Sequence, residues 1–151
     1  MLYRFAKAAD RLIGAKTVDA HCDIPCGIYD PAVALIAAVS VVRMIDIMNE
    51  AAEKPDSLER TNTIARCIAL KELEAAKVKD EVRIIWGDYF KAPQIEAQPH
   101  IHALVHEIMM TAGACKQHVD RAKAEELVEK VNQFAEAFWA TKNVPTERRV
   151  T

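Results

Sequence analysis

The pattern of apolar and polar positions predicts a chain built mainly from helices. Near the end of the chain, apolar residues recur at intervals of three and four, as at Leu127, Val131, Phe134 and Phe138. This spacing places side chains on one face of an α-helix. Proline and glycine, which interrupt helices, are scarce and fall almost entirely between the apolar segments. The segments between them are therefore interpreted as helices.

Capping residues and prolines mark the ends of four predicted helices. The helices run from Pro31, capped by Asp30, to the stop before Pro55; from Asp56 or Ser57, with or without a restart at "DEVRIIWGDYF", to a break at 91–93; from Pro99 to about 113–115; and from about Val119 to Lys142. Four helices with short connections predict an all-α fold, an antiparallel four-helix bundle in one domain. The first helix carries no charge from Ala32 to Val42, which favours burial against a further copy of the chain.

Composition and charge narrow the classes of function. The 151 residues are 51% hydrophobic but only 6% aromatic, enough for one substantial and mostly aliphatic core. The net charge is −2 without a run of lysine or arginine, so neither nucleic acid nor an anionic membrane is an expected partner. No window of the sequence reaches the roughly 18 apolar residues expected of a membrane span.

Residues 1–20, here called the leader, are a candidate for removal from the domain formed by residues 21–151. Charges at Arg4, Lys7, Asp10 and Arg11 interrupt any apolar segment of a secretory signal. Export by that route is therefore not expected, and the expected location is the cytoplasm. The leader contains four basic and two acidic residues, and its removal would change the net charge from −2 to −4.

The four cysteines fall into two groups. Cys67 and Cys115 lie in helical patterns and are interpreted as small buried apolar residues. Cys22 and Cys26 lie in the run HCDIPCGIYDP, His21 to Pro31, here called the hook. Proline and glycine flank Cys26, so this stretch is not predicted to be helical. In a chain without an export signal, such cysteines are more often thiols or metal ligands than disulfides.

Cleavage between Ala20 and His21 would create a compact set of metal ligands. The new terminus offers an α-amine, the amide nitrogen and thiolate of Cys22, and the thiolate of Cys26. These four donors can bind in one plane, which favours Ni(II) or Cu(II) over tetrahedral Zn(II), while the imidazole of His21 stays available along the axis. Thiolates and an amide anion stabilise a higher oxidation state, so a redox site is predicted. Before cleavage the amine does not exist, and the leader keeps the site incomplete.

The hook closely resembles the metal-binding segment of nickel-containing superoxide dismutases. The stretches "WGDYFKAP", residues 86–93, and "FWATK", residues 138–142, are similar to the same family. The resemblance implies a four-helix bundle that assembles into a homohexamer, one nickel ion per subunit, a leader-processing protease, and Ni(II)/Ni(III) cycling that converts superoxide and protons to O2 and H2O2. It also assigns roles to individual residues: His21 (amine and axial imidazole), Cys22 and Cys26 (remaining ligands), Tyr29 (aromatic gate), Asp23 (hydrogen bonds that shape the hook) and Pro25 (cis peptide bond).

One position departs from the family pattern. In the family, a glutamate on the first helix, paired with an arginine on the second, orients the axial imidazole, but this chain has Ala37 at the first position and Glu74 at the second. We expect Glu74 to reach across and hold the ring of His21. A backbone carbonyl or a neighbouring subunit is the alternative.

Other chemically notable residues receive structural interpretations. His100, His102 and His106 are interpreted as a surface helix rather than a metal site, because no further ligand is evident. Trp86, Tyr89, Phe90 and Trp139 are interpreted as packing residues. Two other functions stay open at this point: a non-catalytic nickel or copper carrier or store, and a structural bundle with a reduced dithiol that binds no metal.

Overall fold

The computed structural model describes residues 28–150 as a bundle of helices. The α-helices are α1 (Ala32–Ala52), α2 (Leu58–Ile84), the short α3 (Ala92–Ala97), α4 (Ile101–Gln117) and α5 (Arg121–Ala140). A π-helical turn, Ile85–Tyr89, extends α2. Helices α1 and α4 each pack against both α2 and α5, so the four long helices close into a ring around one core. The predicted all-α four-helix bundle is confirmed.

The starts of α2 and α5 follow from local capping. The Ser57 hydroxyl accepts a hydrogen bond from the backbone N–H of Arg60 at 3.1 Å, and an Asp120 carboxylate oxygen accepts one from Lys123 at the same distance. Each side chain satisfies a backbone donor that the first turn leaves unpaired. The helix boundaries therefore lie within a few residues of the predicted ones.

The segment predicted as a simple break after the second helix contains a helix of its own. Residues 91–93 begin α3, and Pro93 lies in its first turn, where a missing N–H costs no hydrogen bond. The Lys91 backbone N–H donates to the side-chain oxygen of Gln94 at 3.2 Å. Proline therefore marks a helix start here as well as the end of the preceding segment.

Helix α1 supplies a large part of the core. Its buried residues are Ala34, Leu35, Ala37, Ala38, Val41, Val42, Ile45, Met48 and Ala51. Among the described helices, α1 is long and apolar enough to cross a membrane by length and composition, so the expectation that no window of the sequence would be is wrong. About 44% of that stretch is buried in the bundle, as in the core helix of a globular domain. Val33 and Ile36 nevertheless remain 41% and 61% exposed.

A buried lysine joins α2 to the end of α4. The Lys71 ammonium donates to the carbonyl oxygens of Cys115 at 2.5 Å, Lys116 at 2.8 Å and His118 at 3.3 Å. These carbonyls belong to the last turn of α4 and its cap, where no intrahelical donor is available. Burial lowers the pKa of Lys71, and Glu72 acts in the opposite direction. One side chain thus caps a helix that lies far away in sequence.

Replacing Lys71 by methionine is expected to reduce the free energy of unfolding by about 2–3 kcal/mol, because one buried and two partly buried carbonyls lose their donor. Urea denaturation monitored by circular dichroism measures the change. The matched control is Lys77→Met on the same helix, where the lysine side chain is 48% exposed; it should cost less than about 0.5 kcal/mol. Equal losses for the two variants would show that Lys71 does not act as a cap.

Candidate metal centre

The predicted metal ligands lie outside the described residues. His21, Cys22 and Cys26, together with Asp23 and Pro25, precede Ile28, where the description begins. Their assignment therefore stays a prediction from the sequence. The structure does describe the end of the hook, Ile28–Pro31, here called the hook base, and the helices of residues 32–150 that pack near it.

The hook base is joined directly to the start of α1. An Asp30 carboxylate oxygen accepts a hydrogen bond from the backbone N–H of Ala32 at 2.8 Å. The carbonyl of Pro31 accepts the backbone N–H of Leu35 at 3.0 Å, so the proline stands at the first turn as predicted. The interpretation of Asp30 as a helix cap is confirmed.

Tyr29 lies against a second tyrosine that sequence reasoning had interpreted as packing. The rings of Tyr29 and Tyr89 are 6.0 Å apart at an angle of 57°, and both side chains are half-buried. The Tyr89 ring also packs against Phe90 and Phe138 at 5.4 and 4.7 Å. Tyr89 therefore belongs to the immediate surroundings of the predicted gate. Its place in the family-like stretch "WGDYF" was the signal that could have identified it.

The hydroxyl of Tyr89 has a defined role as a donor. It lies 2.6 Å from the Thr141 hydroxyl, which itself donates to the carbonyl oxygen of Phe138 at 2.6 Å. Because a threonine hydroxyl carries a single proton, Tyr89 donates and Thr141 accepts. This pair fixes the end of the π-helical turn against the end of α5.

A positive charge covers the aromatic rings next to Tyr29. The Lys142 ammonium lies 5.1 Å from the centre of the Tyr89 ring and 4.9 Å from that of Phe138, within the range of a cation–π interaction. The stretches "WGDYF" and "FWATK" therefore meet beside the hook base, although nearly fifty residues separate them in sequence. The Lys142 ammonium therefore lies over the ring that packs against Tyr29.

The π-helical turn places Tyr89. A π-turn inserts an extra residue into a helix, and such turns are frequent at functional sites. Here Trp86, in the same turn, points to α4 and donates its indole N–H to Nδ1 of His102 at 2.9 Å. That bond assigns Nδ1 of His102 as an acceptor, which leaves this nitrogen unavailable to a metal ion. Trp86 thus anchors the turn from one side while Tyr89 anchors it from the other.

The two positions of the departure from the family pattern lie on neighbouring helices. Ala37 is fully buried in the core on α1. The Glu74 side chain on α2 is only 14% exposed, and its carboxylate lies 3.9 Å from the Lys77 ammonium. Glu74 is therefore not a fully solvated surface residue. Whether it contacts His21 remains a prediction, because His21 is outside the described residues.

The remaining cysteines are buried free thiols, as predicted. Cys67 and Cys115 are 7% and 0% exposed. Burial raises the pKa of the Cys115 thiol to about 11, so it stays protonated and a poor ligand at neutral pH. Among residues 28–150, no group of three or more histidine, cysteine, aspartate or glutamate side chains is arranged to bind a metal ion.

Comparison with known proteins agrees with the hook and its surroundings. The family model described as nickel-containing superoxide dismutase matches residues 16–142. The chain belongs to the nickel-containing superoxide dismutase family. A family member from Streptomyces coelicolor, named superoxide dismutase [Ni], is 37% identical over 133 residues, which are 87% of this chain and 96% of that protein. The corresponding protein of Streptomyces seoulensis is 36% identical over the same shares.

Solved structures of the family have the same fold. A crystal structure of a nickel-containing superoxide dismutase in the oxidised state superposes with a TM-score of 0.71 at 35% identity and covers 82% of this chain and all of that one. An apo structure of the same kind of enzyme gives a TM-score of 0.67 at 32% identity, over 78% of this chain and 99% of that one. The helical bundle is thus the family fold.

The donor set of this chain fits the family's metal. Nitrogen and soft sulfur donors close together in sequence suit nickel, and cleavage before His21 would supply the amine. The two cysteines of the described helices are buried away from such a role. Nickel is therefore the cofactor that the residues of this family member can hold.

Proposed function

We propose that the protein is a nickel-dependent superoxide dismutase whose ligands are His21, Cys22 and Cys26, completed when the leader is removed. The reaction consumes two superoxide ions and two protons and yields O2 and H2O2. The observation that carries the proposal is the complete run HCDIPCGIYDP in a chain that matches the family model over residues 16–142. The hook, rather than the bundle alone, distinguishes a protein with this function from other helical proteins.

The surrounding residues serve the reaction in distinct ways. Nickel, when bound, supplies the one-electron chemistry between its two oxidation states. Tyr29 would act as the aromatic gate of the nickel site, and its ring packs against that of Tyr89. Lys142 places a positive charge over the Tyr89 ring, which favours the approach of an anionic substrate to this region. Asp23 is proposed to shape the hook by hydrogen bonds.

Removal of the leader is part of this proposal. The match to the family model begins at residue 16, five residues before His21, so the family pattern includes the segment that precedes the hook. Only an N-terminal His21 provides the amine, and we infer that a protease cuts between Ala20 and His21. The mature domain is then residues 21–151.

The proposed assembly is a homohexamer in the cytoplasm. The exposed apolar residues Val33, Ile36, Leu70 and Leu73 lie on the packed pair α1 and α2, where a further copy of the chain can cover them. Contacts between copies of the chain would cover the apolar surface of α1 that does not face the core. The proposal therefore includes neither a membrane nor a nucleic acid as a partner.

Metal analysis of the chain that begins at His21 tests the proposal. After loading with nickel, this chain should contain one nickel ion per subunit and dismutate superoxide. Bound nickel without turnover would favour the carrier or store. A chain that binds no nickel stoichiometrically would instead be the structural bundle with a spare dithiol.

Glu74 is proposed to hold the ring of His21, since its carboxylate is largely shielded from solvent and lies on the helix next to Ala37. A carboxylate that accepts the other ring N–H fixes the tautomer and raises the basicity of the ligand. Glu74→Gln should slow turnover about tenfold or more and weaken the axial component of the nickel electron paramagnetic resonance spectrum. Glu72→Gln is the control, because Glu72 is exposed on the same helix. Identical spectra for the two variants would show that Glu74 does not hold the ring of His21, and would favour a backbone carbonyl or a neighbouring subunit instead.

A further inference from the structure

The residues after α5 reverse direction and return along that helix. The backbone N–H of Val144 donates to the carbonyl of Trp139 at 3.1 Å, and that of Asn143 donates to Ala140 at 3.2 Å. Asn143 has a φ of 55°, the left-handed conformation that asparagine tolerates better than most residues. This pattern is a Schellman motif, which ends a helix and fixes the exit of the chain.

The returning segment is anchored by a buried asparagine. The Asn132 side chain donates to the carbonyl oxygen of Arg149 and accepts its backbone N–H, both at 2.8 Å. Asn132 is only 4% exposed, so water cannot take the place of either hydrogen bond if it is lost. The segment is therefore held by its backbone at a single position on α5.

A second anchor uses charge. The Arg148 guanidinium donates to both oxygens of Glu129 at 3.0 and 2.8 Å, and to Glu136 at 2.6 Å. The three side chains are more than 40% exposed, so these ion pairs contribute less than the buried Asn132 pair. Together the two anchors fix the segment along two turns of the helix.

The anchored segment forms one wall of a cavity beside the hook base. Asp30, Ala32 and Leu35 line one side of this cavity of about 280 Å³, and Val144 to Glu147 with Arg149 line the other. The match to the family model ends at Lys142, so the wall is formed by residues beyond the matched region. The end of this chain thus borders the point where the hook joins α1.

We propose that Val144–Val150 form a strap that holds the hook base in place, and thereby retains nickel in the mature protein. The metal-retaining part of this inference rests on the proposed function. The predicted ligands precede the hook base by only two to seven residues, so freedom at the base moves every ligand. A ligand set held by its support binds metal more tightly than a mobile one. The strap is a positioning element and does not touch the reacting atoms.

Truncation after Lys142 tests the strap, because it leaves the whole matched region of the family intact. Amide hydrogen exchange of residues 29–35 should become roughly tenfold faster, since the segment that shares a cavity with them is gone. Asn132→Ala, which releases the backbone anchor but keeps the full chain, should give a smaller change in the same direction. The control is Arg121→Ala at the other end of α5, which removes ion pairs to Asp46 and Glu125 and should leave these amides unchanged.

Release of nickel to a chelator from the chain beginning at His21 completes the test. Loss of the strap should accelerate release several-fold, whereas Arg121→Ala should not. Unchanged exchange at residues 29–35 in both strap variants would overturn the proposal, and so would faster exchange with an unchanged release rate. If neither the intact nor the truncated chain binds nickel, the proposed function fails, while hydrogen exchange still decides whether the strap holds the hook base.

Discussion

Replacing either Cys22 or Cys26 by serine is expected to abolish nickel binding and superoxide dismutation. A serine hydroxyl is a hard ligand with a pKa far above neutrality, and it cannot replace a thiolate in stabilising the higher oxidation state of nickel. We expect at least a hundredfold loss of activity in each variant, measured as superoxide consumption per chain together with nickel content. Retained turnover in either variant would contradict the ligand assignment.

Cys67→Ser and Cys115→Ser are the matched controls, since both thiols are buried in the bundle. These variants should keep nickel and activity, and lose about 1–3 kcal/mol of stability from the buried hydroxyl. A thiol reagent gives an independent readout in the folded, metal-free chain. At pH 8 it should modify Cys22 and Cys26 and spare Cys115, whose pKa is raised to about 11 by burial.

The second large effect concerns the position of His21 in the chain. The full-length chain should show no more than about 1% of the activity of the chain that begins at His21, because an internal residue has no α-amine and one ligand of the plane is lost. Both chains are loaded with nickel in the same way and compared for metal content and turnover.

A chain with one alanine before His21 separates the two possible causes. It keeps an α-amine but moves that amine by one residue, while adding almost no bulk. If the position of the amine decides, this chain should be as inactive as the full-length one. Full activity of the alanine-extended chain would show that the bulk of the leader, and not the amine, blocks the site; equal activity of all three chains would disprove the processing model.

Much of the fold could be predicted from local signals because the helix ends are encoded locally. Ser57 and Asp120 satisfy backbone donors in their own first turns, and such caps act without any tertiary partner. The capping of α4 by Lys71 could not be predicted in the same way. Its acceptors lie 44 to 47 residues away, and nothing in the sequence pattern distinguishes Lys71 from an exposed helix lysine.

The candidate site could be predicted in part for a similar reason. Its proposed ligands are contiguous, so a short run of sequence contains them all. Tyr89 and Lys142 come from distant segments, and their relation to Tyr29 depends on how the bundle packs. The strap was also missed, because residues 144–150 have neither helical spacing nor a strand pattern. Their position is set by Asn132 and Arg148 rather than by local preference.

The direction of the bond between Tyr89 and Thr141 limits how protons reach the reaction. Tyr89 donates to Thr141, and Thr141 donates to the Phe138 carbonyl, which has no proton to pass on. The hydroxyl proton of Tyr89 is committed to Thr141 and that of Thr141 to the Phe138 carbonyl. The Tyr89–Thr141 pair is therefore not a proton source for the reaction.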